Sequence, residues 1–403
     1  MLNMQSYDIA VVGGGMVGLA FAAALKDTTL KVVVIEGNEI DLELGEQPDL
    51  RVSALSRASQ NILQNLDAWG GIETRRKQAY NAMQVWDRDG FGRIDFDGSA
   101  LMTDTLGHLV ENKVIQLALL EQIEKAGNIT LLTSTKIRKL SQNAEAVWLT
   151  LEGQEPVYAK LIVGADGANS WTRQQVNIPL VSWDYNHSAI VANIRTVEPH
   201  QNCARQIFNP EGPLAFLPLW QPDLSSIVWS LPPERAAVLL AMDEADFNKA
   251  LTVAFDGRLG VCQVEGQRQS FPLKMRYARS FATDRVALIG DAAHTLHPLA
   301  GQGVNLGLLD AASLAQCVLA NHQQQKDIGA HRNLREFERW RKTEAAVMIA
   351  SMEGLKRLFS GSHPAKRLFR DVGLTLSNVL PGVKLQFIKR AMGLDGELPE
   401  LAK

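Results

Sequence analysis

Two short runs near the N-terminus carry almost no polar side chains: Ile9 to Val12, and Lys31 to Ile35 (KVVVI). Runs of this length without polar alternation predict parallel strands covered on both faces. The small-residue stretch from Met16 to Leu25 between them predicts a buried helix, so the chain opens with a βαβ unit. Val114 to Lys125 has helical periodicity, and Ala159 to Val163 and Arg285 to Ile289 read as two further buried strands, each running into a Gly-Ala-Asp or Gly-Asp turn. Between these strands, from about Val181 to Leu273, β-branched and aromatic residues alternate with Pro and Gly, which predicts an inserted antiparallel sheet. Met83 to Phe96 has the same character and is expected to join that sheet. From Gly303 onward the pattern is helical almost to the end. The expected division is a discontinuous domain of residues 1–80, 97–180 and 275–345, an inserted domain of residues 81–96 and 181–274, and a C-terminal helical region, residues 346–403.

Composition narrows the function classes. The chain has 403 residues, 41 basic and 44 acidic, for a net charge of −3, which argues against a nucleic-acid partner. Cys203, Cys262 and Cys317 are few, far apart and form no C-x-x-C pair, so neither a disulfide framework nor a metal site is expected. The uncharged run Ile9 to Leu25 is shorter than the roughly 20 residues of a membrane span and has no basic region before it. No other window is expected to reach span length. The reading is a cytoplasmic protein with any membrane contact peripheral, at the inner face.

The first strand ends in Gly13-Gly-Gly15-Met-Val-Gly18, and Glu36 closes the second strand. Glycines at this spacing allow a tight turn, close approach of a pyrophosphate and close helix packing, while the helix N-terminus offers N–H donors to phosphate. Glu36 is placed to accept hydrogen bonds from an adenosine ribose and to repel a 2′-phosphate. These features predict a dinucleotide site but leave NAD and FAD both open.

Two further segments follow the other buried strands: Gly164-Ala-Asp166-Gly167-Ala-Asn-Ser170-Trp-Thr-Arg173 and Gly290-Asp291-Ala-Ala-His294. With the glycine turn, they make the sequence resemble the class A flavoprotein aromatic hydroxylases, whose three fingerprints occur here in the same order. The resemblance implies an α/β fold: a Rossmann-like FAD-binding domain with an inserted antiparallel β-sheet substrate domain and a C-terminal helical region, the para-hydroxybenzoate-hydroxylase-like fold. It implies FAD as cofactor, with NADH or NADPH as transient reductant and O2 as co-substrate, reacting through a flavin 4a-hydroperoxide; the oxygen-transfer chemistry is then the cofactor's. By resemblance, Asp291 binds the ribityl chain, Arg51 lies beside the flavin and pyrophosphate, and Pro298, Gly301, Gln302, Gly303, Val304 and Asn305 form the loop at the flavin edge. Asp166 is shared between cofactor support and bonds within its own loop. Gln116 stands where many relatives have an Arg that contacts FAD. His187, His294 and His297 have side chains suited to proton transfer near neutrality, but no general base is assigned.

Further segments, among them Arg51-Val-Ser-Ala, Val110-Glu-Asn and the run from Gly290 to Gly307, resemble the ubiquinone-pathway hydroxylases. Val85-Trp-Asp, Trp183-Asp-Tyr and Ile227-Val-Trp-Ser-Leu most resemble the 2-polyprenylphenol (2-octaprenylphenol) hydroxylase branch. That implies ring hydroxylation of a polyprenylated phenol, ortho to the hydroxyl. Another quinone precursor or small phenol, and a non-catalytic flavin-binding assembly subunit, are the competing readings. Trp183, Phe216, Leu217, Pro218 and Trp229 are expected to line an apolar substrate cavity. Between Ser351 and Leu394 stand eight basic residues against two acidic ones, interleaved with Leu and Phe. This pattern suits contact with an anionic membrane surface or with partners in a multienzyme complex, or a basic solvated face of a packed helical pair.

Overall fold

The buried apolar runs assemble into one parallel sheet. The computed structural model describes residues 5–98, 104–295, 303–359 and 392–403, the side chains of 355–359 excepted. Its six-stranded sheet has the order Ala282–Thr283, Val286–Leu288, Leu161–Gly164, Ile9–Val12, Val32–Ile35, Ile129–Leu132. All pairs are parallel except the hairpin at the Ala282 edge. Every residue of the four central strands is buried, which is why their sequences lack polar alternation. The run read as one strand at Ala159 divides: Val157–Ala159 pairs in a four-stranded sheet, and Leu161–Gly164 enters the parallel one.

An eight-stranded sheet takes Ala82–Asp87, Arg93–Asp97, Leu180–Thr196, Cys203–Asn209, Gly212–Pro218, Leu224–Leu231, Cys262–Ala278 and His294–Thr295. It departs from the expected purely antiparallel sheet in two ways. Cys203–Asn209 runs parallel to Ala82–Asp87, and two helices, Pro233–Ala241 and Glu244–Ala254, cover one face. The two-residue strand His294–Thr295 pairs with Arg276 and Tyr277, so the segment after Leu288 leaves the parallel sheet and joins the large one.

The helix Gly303–Gln323 corrects one expectation. It is long and apolar enough to cross a membrane by length and composition, with a mean hydropathy of 1.4. Here it is largely enclosed by protein, packed against Met16–Ala23 and Arg57–Asn65, and it carries the buried, ion-paired Asp310. Its apolar character is that of a core helix. His297, Pro298, Gly301 and Gln302 lie outside the described residues, as do the basic positions Lys366, Arg367, Arg370, Lys384, Lys389 and Arg390 and the side chains of Lys356 and Arg357.

Candidate functional site

Ile35, Val12, Gly164 and Leu288 lie in register at the carboxyl ends of adjacent parallel strands, so the turns that follow them meet along one edge. Crevices outside the carboxyl ends of such strands are the usual ligand sites of open α/β sheets. Gly13 adopts φ +112°, and a Cβ there would lie 2.5 Å from the Ala165 carbonyl oxygen. A Cβ on Gly18 would lie 2.1 Å from the Gly13 carbonyl oxygen, so the helix Met16–Ala23 packs directly on the turn. Gly15 differs: a Cβ there meets nothing within 4 Å, and the space above the turn is open to a phosphate-sized group.

Glu36 is held in place by its own neighbourhood. Its Oε2 accepts from the Gly14 N–H at 2.8 Å and its Oε1 from the Asn38 N–H at 3.0 Å. A cavity of about 420 Å³ opens beside it, lined in part by Gly15, Glu36, Asp41, Arg51, Lys113 and Gln116. Its acids, which also include Glu39 and Asp49, outnumber its bases, an unfavourable setting for an additional phosphate on a ribose. Gln116 donates from Nε2 to the Gly14 carbonyl at 2.7 Å, so this amide braces the glycine turn from the neighbouring helix Asn112–Lys125. Lys113, which pairs with Asp41 across the cavity, was not flagged by sequence reasoning, because a single Lys on a helix carries no motif.

Asp291 sits in the short 3-10 turn Gly290–Ala292, at the passage from one sheet to the other. Its side chain is solvent-reached, and among the described residues no donor bonds its carboxylate. Desolvation by the surrounding protein pushes its pKa up, against the opposing pull of His294, Arg51 and Arg276. Arg51 lies over the Phe271 ring at 5.0 Å, which carries it from the cavity wall toward the large sheet.

Two expected cofactor residues also have structural work within the chain. Both oxygens of Asp166 are turned into its own loop, accepting from Ser170 Oγ at 2.5 Å and from the Thr172 N–H at 2.8 Å. The side chain of Asn305 is buried and clamps another segment: Oδ1 accepts from the Ser56 N–H at 3.0 Å and Ser59 Oγ at 2.7 Å, while Nδ2 donates to the Ala54 carbonyl. Gly303 and Val304 open the helix, where the first backbone N–H groups have no intrahelical acceptor. Arg173 is buried and donates from Nη1 to the Ala292 carbonyl at 2.8 Å, tying the second motif to the third.

The expected substrate lining needs a larger correction. Phe216 is stacked on Phe255 at 3.7 Å, Trp229 meets Phe247 edge-on, and both belong to the core between the sheet and its two covering helices. Pro218 is buried on the strand positions that alternate with Leu217, in step with Phe216. Leu217 and its alternates therefore face the opposite side, as do Ala215 and Val228, which pair across the strands. Val228 packs with Tyr185, Ala189, Leu273 and Met275, and Phe271 pairs opposite Ala189. Sequence reasoning chose the largest aromatics, whereas alternation assigns them to the helix-covered face. Trp183 is exposed on the long strand Leu180–Thr196. His187 lies on the same strand, whereas His294 is fully engaged with Asp310 at 2.6 Å.

Comparison with known proteins agrees with this geometry. Residues 6–343 match the FAD binding domain family. The chain is 36% identical to the zebrafish (Danio rerio) protein named ubiquinone biosynthesis monooxygenase COQ6, mitochondrial, covering 95% of this chain and 89% of that protein. It is 34% identical to the Escherichia coli 3-demethoxyubiquinol 3-hydroxylase, covering 98% of this chain and all of the relative. Among solved structures, p-nitrophenol 4-monooxygenase PnpA from Pseudomonas putida superposes with a TM-score of 0.80 at 21% identity, over 98% of this chain and 100% of that one, and so shares the fold. One relative's name gives no ring position and the other's gives a demethoxylated quinol, so they identify the group and leave the branch expected from sequence unassigned. With a nucleotide crevice built on three glycine-bearing turns and a family match across most of its length, the chain belongs to the FAD-binding monooxygenase family and is a flavoprotein enzyme.

Proposed function

We propose that this enzyme hydroxylates the aromatic ring of a quinone precursor in ubiquinone biosynthesis, with NADH or NADPH as reductant and O2 as oxygen source. The preferred substrate is a 2-polyprenylphenol, which takes the oxygen ortho to its hydroxyl. The observation that carries the reading is the position of the Asp291 turn, which joins the nucleotide crevice to a sheet whose face away from the covering helices carries the apolar cluster of Tyr185, Ala189, Val228, Leu273 and Met275. That face suits a prenylated ring better than a small, charged phenol.

In this reading the Gly13–Gly15 turn holds the FAD pyrophosphate, Glu36 the adenosine ribose and Asp291 the ribityl hydroxyls. Bound there, FAD supplies electron transfer from the nicotinamide and activation of dioxygen. The chain's own contribution is placement and exclusion of water. Asp166 and Arg173 fix the second turn against the third, Asn305 fixes the start of the helix Gly303–Gln323, and Ala215, Leu217 and Val228 present a dry surface to the ring.

A second reading, hydroxylation of a later, demethoxylated quinol, is favoured by the full-length match to 3-demethoxyubiquinol 3-hydroxylase. The test is turnover by FAD-loaded enzyme under labelled dioxygen, with a short-chain 2-prenylphenol and a short-chain demethoxyquinol offered separately. One labelled oxygen in an ortho-hydroxylated prenylphenol supports the preferred reading; label only in the quinol product replaces it. FAD bound without oxygen insertion into either would favour a smaller phenol or an assembly subunit. Retention of the enzyme on anionic vesicles, lost on removal of the segment after Ser351, tests the proposed peripheral membrane contact; unchanged retention would overturn it.

A further inference from the structure

Behind the Asp291 turn lies a buried charge array that the proposed FAD contacts do not use. Asp310, on the helix Gly303–Gln323, accepts at Oδ2 from His294 Nε2 at 2.6 Å and from the Gly290 N–H at 3.0 Å. Its Oδ1 accepts from Arg341 Nε at 2.7 Å. The side chains of His294, Asp310 and Arg341 are each no more than 2% exposed. Burial opposes ionisation of Asp310, but the charges and hydrogen bonds of His294 and Arg341 hold its pKa below the usual carboxylate value.

Stability alone is a poor account of such an array. Withdrawing charged groups from water is costly, and well-packed apolar residues of similar volume often stabilise a core equally well. The hydrogen-bond pattern has a more specific consequence. The two groups bound to Oδ2 flank Asp291 on both sides in sequence: Gly290, held in the left-handed region at φ +60°, and His294, which pairs with Tyr277 on the large sheet. One carboxylate oxygen therefore fixes both ends of the Asp291 turn. The other oxygen is fixed by Arg341 from the helix His331–Phe359, which is itself pinned beside the turn where Tyr277 donates to the Lys342 carbonyl and Glu338 accepts from the Phe281 N–H. Gly290 and Gly307 both pack against Val17, so the turn has little freedom to shift toward the first helix.

We propose that Asp310 is a positioning residue for the cofactor: with His294 and Arg341 it sets the orientation of the Asp291 carboxylate, and so couples the helix His331–Phe359 to the ribityl site. The proposal rests on Asp291 facing FAD. His294→Leu removes the donor, and His294→Gln retains an amide N–H that reaches toward the same oxygen.

The experiment measures FAD binding to apoprotein by quenching of flavin fluorescence, and the visible circular dichroism of the flavin at saturation. Saturation separates placement of the cofactor from the amount of folded protein. Wild-type binding, measured alongside, tests the FAD site by itself. The expected result is an FAD Kd raised about tenfold or more in His294→Leu, as for a lost hydrogen bond to a charged group, with an altered dichroism band at saturation. His294→Gln is expected to stay within about threefold of wild type with the native band. Arg341→Met should alter the band in the same sense as His294→Leu. The proposal is overturned if the saturated His294→Leu band matches wild type, if its Kd moves by less than about twofold, or if Gln restores neither.

Discussion

The three glycines of the first turn make separable predictions, because the structure gives them different surroundings. Gly15 caps the helix Met16–Ala23 at φ −77° and ψ 176°, a conformation open to alanine, and its missing Cβ points into empty space. Replacing it with Ala loses a favourable cap residue, about 0.5–1 kcal/mol, and gains a similar amount from a less flexible unfolded chain. The apoprotein should therefore unfold in urea within about 0.5 kcal/mol of wild type. The added methyl occupies the approach to the turn, so a phosphate loses at least one charge-assisted contact, about 1.5–3 kcal/mol or roughly 10–100-fold in FAD Kd. Gly18→Ala reverses the pattern. Its Cβ would stand 2.1 Å from a backbone oxygen, and neither the turn nor the helix can retreat without disturbing the sheet. Overpacking of this kind costs about 1–3 kcal/mol, more than the helix propensity of Ala returns, so the apoprotein itself should be destabilised. Paired measurements of apoprotein urea midpoint and FAD Kd test both. If Gly15→Ala binds FAD as wild type does, the pyrophosphate does not cross this turn and the crevice assignment fails; an undiminished midpoint in Gly18→Ala would refute the close approach.

Three other outcomes are expected. Asp291→Ala should bind FAD at least tenfold more weakly with little change in apoprotein stability, since no hydrogen bond within the described chain depends on its carboxylate; full FAD occupancy at micromolar cofactor would contradict the ribityl assignment. Phe216→Leu should cost about 1–3 kcal/mol by urea unfolding and leave the product unchanged, because its ring is buried against Phe255, whereas Leu217→Ala should raise KM for the prenylated ring without a comparable loss of stability. His108, packed edge-on against Trp69, has its pKa lowered to about 4 by burial and by the positive charges of Lys77 and Arg57. Between pH 4 and 6.5 the unfolded state binds the extra proton, so stability should rise with pH across that window by on the order of 3 kcal/mol, and His108→Phe should flatten the slope of the urea midpoint.

Sequence periodicity carried far where one physical constraint dominated. Ile9–Val12 and Val32–Ile35 have to be apolar on both faces, and Gly13 and Gly18 have to lack a Cβ, so both strands and turn were visible in the chain. It failed where composition is ambiguous. Trp229 and Phe216 satisfy a buried core as readily as a substrate cavity, and only the position of the helices Pro233–Ala241 and Glu244–Ala254 decides which face of the strand is which. Asp310 and Arg341 gave no signal of their own, since the partners they meet lie 16 and 31 residues away in sequence. Asp166 and Asn305 carried a family signal, but their side chains proved to brace loops, an outcome set by which neighbouring N–H groups lack other acceptors.

The strand order has a consequence for how the protein comes into being. Leu161–Gly164 lies between Ile9–Val12 and Val286–Leu288, so the centre of the sheet is knit from three widely separated stretches. On a ribosome, the first strand and its glycine turn emerge long before the partner that completes the floor of the crevice, and Arg341 is made later still. Long-range parallel pairing of this kind is slow and leaves strand edges exposed meanwhile. A nascent chain halted before Val286 should therefore retain no FAD, which places cofactor capture near the end of synthesis and makes the half-made chain a client for holding chaperones.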